Sequence, residues 1–270
     1  MTRATIALTL VLAATVYYLY LKAIQSERQL DRAKDEFVSL ASHQLRTPAT
    51  GIKSILSTLK AGDFGPLNQR QNYFLGRALE SNERELGIIE ELLNVAKADA
   101  GRLVLHTTKF NLSNLVTSIV NEQRPGIAKK LLRLEIKLPR HPLEIVADED
   151  KLYMAIGNLV DNARKYTHEA GKISVIVSKR HNDVRIEVSD TGIGIEPSEL
   201  NHIFDRFQRA SDAVRGNVEG AGLGLYLARR ITEHHDGTIE VSSNPGKGTK
   251  FVMILPRGDR NAAKGAASRG

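Results

Sequence analysis

The chain has 270 residues, 41% of them hydrophobic and 26% charged, which is the composition of a globular protein of roughly one to three compact units. It contains no Cys, which excludes disulfides, thiolate metal sites and a Cys nucleophile. The formal net charge of +7 is spread along the chain and aromatic residues make up only 5%, so we predict a solvated basic surface and no direct nucleic-acid partner.

The first predicted element is a membrane-spanning helix over residues 4–21. This segment is uncharged and mostly apolar, and it is just long enough to cross a bilayer. Tyrosines near its C-terminal end match an interfacial aromatic belt, and the basic residues that follow place the rest of the chain in the cytoplasm by the positive-inside rule. We therefore predict a single-pass protein of the inner (cytoplasmic) membrane. A cleaved signal peptide is the alternative, although no A-x-A cleavage site is present.

A long helix is predicted to continue from the membrane to about residue 61, because no Gly or Pro interrupts it before Pro48. Its charged first part, residues 22–36, is assigned to a signalling or coiled-coil helix. Further along, apolar residues recur on one side at helical spacing. They are Phe37, Ala41, Leu45, Ile52, Ile55, Leu56 and Leu59. His43 falls nearly opposite this side, so the pattern predicts an exposed histidine.

A second helix is predicted from about Asn68 to Ala98, after a turn that contains Gly62 and Gly65, and it too has one apolar side. Two helices joined by a short loop form an α-hairpin. Because a single hairpin cannot bury two such sides well, we predict that residues 37–99 form an all-α dimeric four-helix bundle, which makes the protein a homodimer.

The rest of the chain mixes helices and strands. We predict a linker over Asp99–Phe110, an α+β sandwich over residues 110–257 and a disordered tail over residues 258–270. The predicted helices cover residues 112–128, 149–166 and 222–235. The predicted strands cover residues 133–138, 143–147, 172–178, 184–189, 238–243 and 249–255.

The predicted exposure of His43 gives it one property of a phosphoryl acceptor, since an acceptor needs a neutral and reachable ring nitrogen. Pro48 removes a backbone donor and allows the helix to bend near His43. Thr47 lies one turn along, on the same side of the helix, where its hydroxyl can hold a water beside a phosphorylated group. A lone surface histidine usually has no role beyond contact with solvent. The assignment of His43 as a phosphoryl acceptor therefore depends on the residues around it.

Asn158 and Asn162 lie one turn apart on the predicted helix over residues 149–166. Amide oxygens are hard ligands that suit Mg²⁺, which usually keeps several waters and bridges phosphates. Lys165 and Tyr166 add a phosphate partner and a capping aromatic ring. The N-x-x-x-N motif alone is weak, because an ordinary polar helix surface also produces it.

The string D-T-G-I-G, residues 190–194, follows a predicted strand. There the Asp190 carboxylate can accept a hydrogen bond from the exocyclic amine of adenine, while Gly192 and Gly194 allow tight turns and close backbone approach. Further on, the string G-A-G-L-G, residues 220–224, opens a helix, and glycines before a helix N-terminus can cradle phosphate. The order of these strings does not fit a Rossmann fingerprint, and the Walker pattern is absent.

Residues 37–48, F-V-S-L-A-S-H-Q-L-R-T-P, resemble the H box of dimeric sensor histidine kinases, whose usual form is H-E-L-R-T-P. The resemblance implies a HisKA dimerisation and phosphoacceptor domain, with His43 as the phosphorylated residue and Thr47 supporting the reverse, phosphatase reaction. The sequence departs from the family at Gln44, where the usual residue is a Glu or Asp thought to act as general base. Because a Gln cannot accept a proton at neutral pH, Gln44 can only orient the ring of His43.

The later motifs, taken in order, resemble the ATP-binding domain of the same kinases, which is of the GHKL or Bergerat type also found in gyrase and MutL. The resemblance implies ATP and Mg²⁺ as cofactors, with Asn162 as the metal ligand, Asp190 as the reader of adenine and residues 220–224 in a mobile lid. The implied nucleotide contacts are Asn158, Asn162, Lys165, Tyr166, Asp190, Gly192, Gly194, Arg209, Gly220, Gly222 and Gly224.

The resemblance therefore implies a membrane-bound sensor histidine kinase that phosphorylates His43 from ATP and passes the phosphoryl group to an Asp of a response regulator. Gln44 raises the alternative of a phosphatase-biased or pseudokinase signalling partner. A GHKL-type ATPase clamp that acts on DNA or proteins is a third possibility, which would not need His43. The short segment before the H box leaves no room for a separate sensory module. The signal is therefore expected to come through the bilayer, through a partner membrane protein or through the charged helix over residues 25–36. Alternatively, the chain is a fragment of a longer sensor.

Overall fold

The structure is a computed structural model that describes residues 15, 17–18, 20–22, 25, 40–41, 44–99, 103–208 and 221–258. The chain divides into two compact units, Met1–Arg102 and Leu103–Gly270. The predicted membrane helix over residues 4–21 and the predicted signalling helix over residues 22–36 fall mostly outside the described residues, and the predictions for them stand as predictions. Among the residues that are described, no helix is both long enough and apolar enough to cross a membrane.

The first unit contains a helical hairpin. Helix α1 covers residues 44–61 and helix α2 covers Gln69–Asp99. Gly62 and Gly65 in the connecting turn have positive φ angles of 87° and 111°, which a residue with a Cβ adopts only at a cost. Helix α2 begins with a capping box in which the side chain of Asn68 accepts from the backbone N–H of Gln71, while the Gln71 side chain accepts from that of Asn68.

Two ion pairs between α1 and α2 show that the hairpin is antiparallel. The guanidinium of Arg46 lies 3.4 Å from the carboxylate of Glu90, and the ammonium of Lys53 lies 3.0 Å from that of Glu83. Both pairs are solvent-exposed, so they contribute little to stability. Their positions nevertheless show that α1 and α2 run side by side in opposite directions.

The hairpin leaves part of its apolar surface in solvent. Ala49 on α1 is buried, as are Ile89 and Leu93 on α2. In contrast, two α1 residues one heptad apart stay about half exposed, Leu45 (52%) and Ile52 (48%). This exposed strip is what the sequence predicts for a hairpin that needs a second layer of helices.

The second unit is an α+β sandwich. Its helices are α3, Leu112–Lys129; α4, Glu149–Tyr166; and α5, Gly224–His234. Its strands are β1, Thr108–Asn111; β2, Arg133–Lys137; β3, Glu144–Ala147; β4, Lys172–Arg180; β5, Asp183–Asp190; β6, Thr238–Asn244; and β7, Gly248–Pro256.

Five strands form the main sheet in the order β2-β4-β5-β7-β6, in which only the β2–β4 pair is parallel. Alternating residues of β5 point into the core, where Val184, Ile186 and Val188 are at most 1% exposed. Helix α4 packs against α3 and α5 and buries a stripe that includes Leu159 and Val160. The sandwich thus presents the polar side of α4 away from the core.

Strand β1 corrects the predicted linker over Asp99–Phe110. Thr108–Asn111 pairs antiparallel with β3 as a separate two-stranded sheet, and Asn111 then caps α3 by accepting from the N–H of Ser113. The segment has only four residues and half of its positions are exposed, so it lacks the alternation by which strands are recognised.

The predicted disordered tail is wrong at its first residue. Gly258 is buried with a φ of 100°, and a Cβ there would lie 2.6 Å from the Cβ of Val146. The preceding residue, Arg257, donates its N–H to the carbonyl of Asn182. Residues 259–270 lie outside the described residues.

Candidate functional site

Helix α4 places three of the predicted site residues on one face. Asn158, Asn162 and Lys165 are spaced by four and three positions, which brings their side chains into one stripe. Each is partly exposed, unlike the buried residues on the opposite side. Asp148 caps the start of the helix, where its side chain accepts from the N–H of Lys151. The start and phase of the helix therefore set where the amides and the ammonium point.

Asp161 holds the two cations at the end of this helix. Its carboxylate oxygens each lie 2.6 Å from a cationic nitrogen, one of Arg164 and one of Lys165. Burial alone would raise the pKa of Asp161, but these two cations outweigh it, so that its pKa is lowered. Lys165 is therefore already oriented by an ion pair, which a phosphate group would have to share or replace.

The carboxylate of Asp190 is fixed at the end of β5 by two backbone donors. Its Oδ1 atom accepts from the N–H of Gly192 at 2.8 Å and from that of Thr249 at 3.3 Å. Burial raises the pKa of Asp190, while these two hydrogen bonds act in the opposite direction. A partly buried carboxylate with one oxygen held in this way can offer the other oxygen to a donor on a ligand.

The two glycines after Asp190 are required by close backbone contacts. A Cβ at Gly192 would lie 2.2 Å from the carbonyl oxygen of Tyr166, and one at Gly194 would lie 2.1 Å from that of Asn244. Gly194 also has a φ of 74°. The loop is thus packed directly against the C-terminal end of α4, and it brings Asp190 close to the residues that end that helix.

The glycines that open α5 join the same site. A Cβ at Gly224 would lie 3.1 Å from the side-chain oxygen of Asn158, so the first turn of α5 lies against the polar face of α4. Gly222 has a φ of 72°, at which a Cβ would collide with the backbone at Phe207. The guanidinium of Arg206 lies 5.2 Å from the ring centre of Tyr226 in α5. Arg209 and Gly220 fall outside the described residues.

The H-box residues are described only in part. Gln44 and Thr47 are exposed residues of α1, as expected for residues that meet another molecule or domain. His43 itself lies outside the described residues, so its predicted exposure stays a prediction. The structure describes each of the two units separately, with Gln44 and Thr47 in the first and the α4 face in the second.

The donor chemistry of the α4 face fits a hard divalent cation. Among the described residues, no cluster of three or more His, Cys, Asp or Glu side chains could hold a metal ion by itself. The oxygen donors of Asn158 and Asn162 would therefore need water and phosphate oxygens to complete a coordination shell. That is the usual arrangement for Mg²⁺ at a nucleotide, since the ion dehydrates reluctantly and seldom occupies an all-protein cage.

Sequence reasoning missed three residues that shape the site. Asp161, which orients Lys165, lies inside the motif N-L-V-D-N-A-R-K-Y, and its spacing of four from Lys165 could have predicted the pair. Thr249 supports Asp190 through its backbone, for which a sequence carries no side-chain signal. Lys130 reaches the C-terminal end of α4 from a different helix, and such a long-range contact has no local pattern.

His235 connects the end of α5 to the start of α4. The ring is 3% exposed. Its Nε2 accepts from the backbone N–H of Asp148 at 3.0 Å, which leaves the proton on Nδ1 to be donated to the carbonyl of Ile231 at 2.8 Å. Burial lowers the pKa of His235; a charge from His234 acts in the same direction, whereas the bond to Ile231 and the charges of Asp148 and Asp236 oppose it.

Because the folded state prefers neutral His235, its contribution to stability is complete above the unfolded pKa of about 6.5 and declines as the pH falls toward the lower folded pKa. We expect the free energy of unfolding to fall with a slope of at most about 1.4 kcal/mol per pH unit from this group. Urea unfolding of His235→Gln should show a flatter pH dependence below pH ~6.5. The control His141→Gln, at an exposed loop position, should keep the wild-type slope, and equal slopes in all three proteins would contradict the assignment.

Two family models match the chain. Residues 147–259 match the "Histidine kinase-, DNA gyrase B-, and HSP90-like ATPase" family. Residues 33–101 match the "His Kinase A (phospho-acceptor) domain" family. The first match contains the α4 face, the Asp190 loop and α5, and the second contains the helical hairpin.

Known histidine kinases are similar over most of the chain. The circadian input-output histidine kinase CikA of Synechococcus elongatus is 33% identical over 236 residues, which cover 87% of this chain and 31% of that protein. The sensor histidine kinase GacS of Pseudomonas protegens is 35% identical over 232 residues, which cover 84% of this chain and 25% of that protein. The chain thus spans about a third or less of the length of these relatives.

Solved structures agree with the fold. The full-length ShkA structure in complex with AMPPNP superposes with a TM-score of 0.67 at 26% identity, covering 82% of this chain and 45% of that one. The catalytic domain of the histidine kinase ThkA superposes with a TM-score of 0.51 at 27% identity, covering 57% of this chain and 97% of that one. The first alignment extends beyond a single domain, and the second covers about the length of the α+β unit.

Proposed function

Because this chain belongs to the sensor histidine kinases that carry a HisKA phosphoacceptor domain and a histidine kinase-type ATPase domain, we propose that it transfers the γ-phosphoryl group of ATP to His43. The observation that carries this proposal is the convergence of Asn158, on the polar face of α4, with Gly224 in the first turn of α5. This arrangement places hard oxygen donors beside a helix N-terminus, where phosphate groups are stabilised.

The chain's own residues would divide the work of binding and positioning. The free oxygen of Asp190 accepts from the exocyclic amine of adenine, while its other oxygen remains bonded to Gly192 and Thr249. Lys165, held by Asp161, approaches the phosphates. Asn162, with Asn158 beside it, holds Mg²⁺, which when bound supplies neutralisation of phosphate charge. Positioning and charge neutralisation account for most of the catalysis in phosphoryl transfer.

In the transfer step, a neutral ring nitrogen of His43 attacks the γ-phosphorus in line with the leaving group. A nitrogen–phosphorus bond forms, and the bond from phosphorus to the β,γ-bridging oxygen breaks. ADP leaves with that electron pair, and water takes up any proton that the imidazole releases. A carboxylate oxygen of a response-regulator Asp then takes the phosphoryl group as the nitrogen–phosphorus bond breaks, which regenerates His43. In the phosphatase direction, Thr47 assists a water that hydrolyses the aspartyl phosphate to the carboxylate and inorganic phosphate.

This function is tested by labelling the purified chain with γ-labelled ATP. We expect incorporation with Mg²⁺ and none when the metal is chelated, because the phosphates then lack their counter-charge. The variant Asn162→Ala should need roughly tenfold more Mg²⁺ for half-maximal labelling, in line with the loss of one ligand or its supporting contact. The matched control Asn114→Ala, on the separate helix α3, should behave as wild type. Labelling that is indifferent to chelation would contradict the proposal.

A second copy of the chain is proposed as the partner of the hairpin. Leu45, Ile52 and Ile55 present an exposed apolar strip along α1, and burying such a strip against its symmetry mate is the usual solution for helical hairpins. Sedimentation equilibrium should give twice the monomer mass. A monomer at micromolar concentration would contradict this part of the proposal.

Attachment to the inner membrane through residues 4–21, with the two domains in the cytoplasm, is also proposed. It rests on the uncharged sequence of that segment and on the basic residues after it. The full chain should fractionate with membranes, whereas a version that starts at Lys22 should not. Recovery of both in the same fraction would overturn this assignment.

A phosphatase-biased signalling partner is the second candidate function. One observation favours it, namely that the position after His43 carries an exposed Gln44 instead of an acidic residue. Such a protein would bind ATP and phosphorylate itself slowly, and would act mainly by removing phosphate from the response regulator. The ratio of labelling rate to the rate of regulator dephosphorylation separates the two candidates.

A further inference from the structure

The C-terminal end of α4 is the point where the helix with the site residues meets the Asp190 loop. Every α-helix ends with carbonyl groups that have no partner within the helix, and these need donors from elsewhere. Here the carbonyl of Ala163 accepts from the backbone N–H and the side chain of Thr167. The carbonyls of the next residues are satisfied from outside the helix.

Lys130 supplies most of the donors for these carbonyls. Its ammonium donates to the carbonyls of Arg164 at 3.1 Å, Lys165 at 2.8 Å and Thr167 at 3.1 Å. A lysine ammonium has three N–H donors, so the three carbonyls use its full capacity. The positive charge also lies at the negative end of the α4 dipole, which adds a favourable interaction.

The backbone of Lys130 is fixed as well. Lys130 is the C-cap residue of α3. Its N–H points back to the carbonyl of Gly126, and its own carbonyl accepts from the N–H of Ala170 at 3.1 Å. The side chain is half-buried. Burial lowers the pKa of Lys130, and the neighbouring charge of Arg164 lowers it further. An ammonium held in this environment therefore works as a fixed connection between the end of α3 and the end of α4.

Among the carbonyls of residues 164–167, Lys130 does not contact that of Tyr166. The Tyr166 carbonyl instead contacts the loop of the proposed nucleotide site. It accepts from the N–H of Ile193 at 3.2 Å, and it lies 2.2 Å from where a Cβ at Gly192 would be. The position of this carbonyl thus determines the position of the loop that holds the Asp190 carboxylate.

We infer that Lys130 is a positioning residue for nucleotide binding, which acts by holding the carbonyls of Arg164, Lys165 and Thr167 so that the Asp190 loop and the Lys165 ammonium keep their geometry toward ATP. It does not touch the nucleotide. The inference rests on the proposed function and deepens it, because it assigns a role to a residue on α3, outside every motif that carries the family resemblance.

The test compares Lys130→Met with Lys129→Met in the purified full chain, with ADP as the probe in calorimetric titrations. Methionine keeps the apolar stem and removes the ammonium, and Lys129 is the exposed neighbour on the same helix. We expect the Kd of ADP to rise about tenfold in Lys130→Met and to change less than twofold in Lys129→Met. Lys130→Arg should keep most of the wild-type affinity for ADP, since a guanidinium also offers several donors.

Kinetic measurements distinguish a positioning role of Lys130 in nucleotide binding from a purely structural role. In Lys130→Met the KM for ATP in autophosphorylation should rise about tenfold while kcat at saturating ATP changes less than about twofold, which a general loss of folded protein would not produce. If Lys130→Met does not fold, Lys130→Gln provides the same comparison with a neutral donor.

The outcomes separate this inference from the proposed function. Wild-type ADP affinity in Lys130→Met, or in Lys130→Gln, would overturn the inference and leave the proposed function intact. Absence of ADP binding by the wild-type chain would overturn both.

Discussion

Replacing Asp190 with Asn is expected to weaken ADP and ATP binding by about a hundredfold, the upper part of the range for a hydrogen bond to a charged group. A carboxylate can accept hydrogen bonds on both oxygens, and Oδ1 of Asp190 is already used by the N–H groups of Gly192 and Thr249. An amide has only one accepting oxygen. In Asp190→Asn, either the ligand or the two backbone donors must therefore face an NH₂ group.

Calorimetric titration with ADP measures this loss directly. The matched control is Asp183→Asn, which makes the same change at the exposed opposite end of the same strand, β5. We expect the control to bind ADP as the wild type does. An Asp190→Asn protein that is folded and binds ADP within threefold of wild type would show that Asp190 does not contact the adenine.

Replacing Gln44 with Glu is expected to raise the rate of autophosphorylation by about a hundredfold, the lower end of what a positioned general base contributes. Gln44 is exposed on α1 directly after His43. A carboxylate there can take up a proton from the imidazole or hold the ring in its reactive tautomer, whereas an amide can only orient the ring. The rate is measured as the initial rate of label incorporation at saturating ATP.

The control for this change is Gln69→Glu, which adds the same charge at an exposed position at the start of α2. It should leave the rate unchanged. If Gln44→Glu is no faster than wild type, then the phosphatase-biased interpretation loses the one feature of the sequence that supports it.

The sequence predicted the main elements of both units because their patterns are local. The alternation in β4 and β5 and the helical spacing of buried residues in α4 reflect which side of each element faces the core. The glycines after Asp190 were equally readable, since residue 194 needs a positive φ and residue 192 a close backbone contact. Each of these backbone requirements selects glycine at a single position, so it can be recognised in the sequence.

The sequence did not predict features that depend on distant partners. Strand β1 exists because β3 pairs with it, and its four residues carry no alternation of their own. Gly258 is ordered against Val146 although its neighbours in sequence have the composition of a tail. Lys130 and His235 act on α4 from other helices, and the residue types alone do not indicate which backbone groups they reach.

The proposed function requires that His43 receives the phosphoryl group from ATP. The most direct measurement is incorporation of label from γ-labelled ATP with Mg²⁺ into wild type and into His43→Ala, followed by acid and alkali treatment. We predict label in the wild type that is lost in acid and stable in alkali, as a nitrogen–phosphorus bond requires, and no label in His43→Ala. Label that persists in His43→Ala, or that survives acid, would contradict the claim.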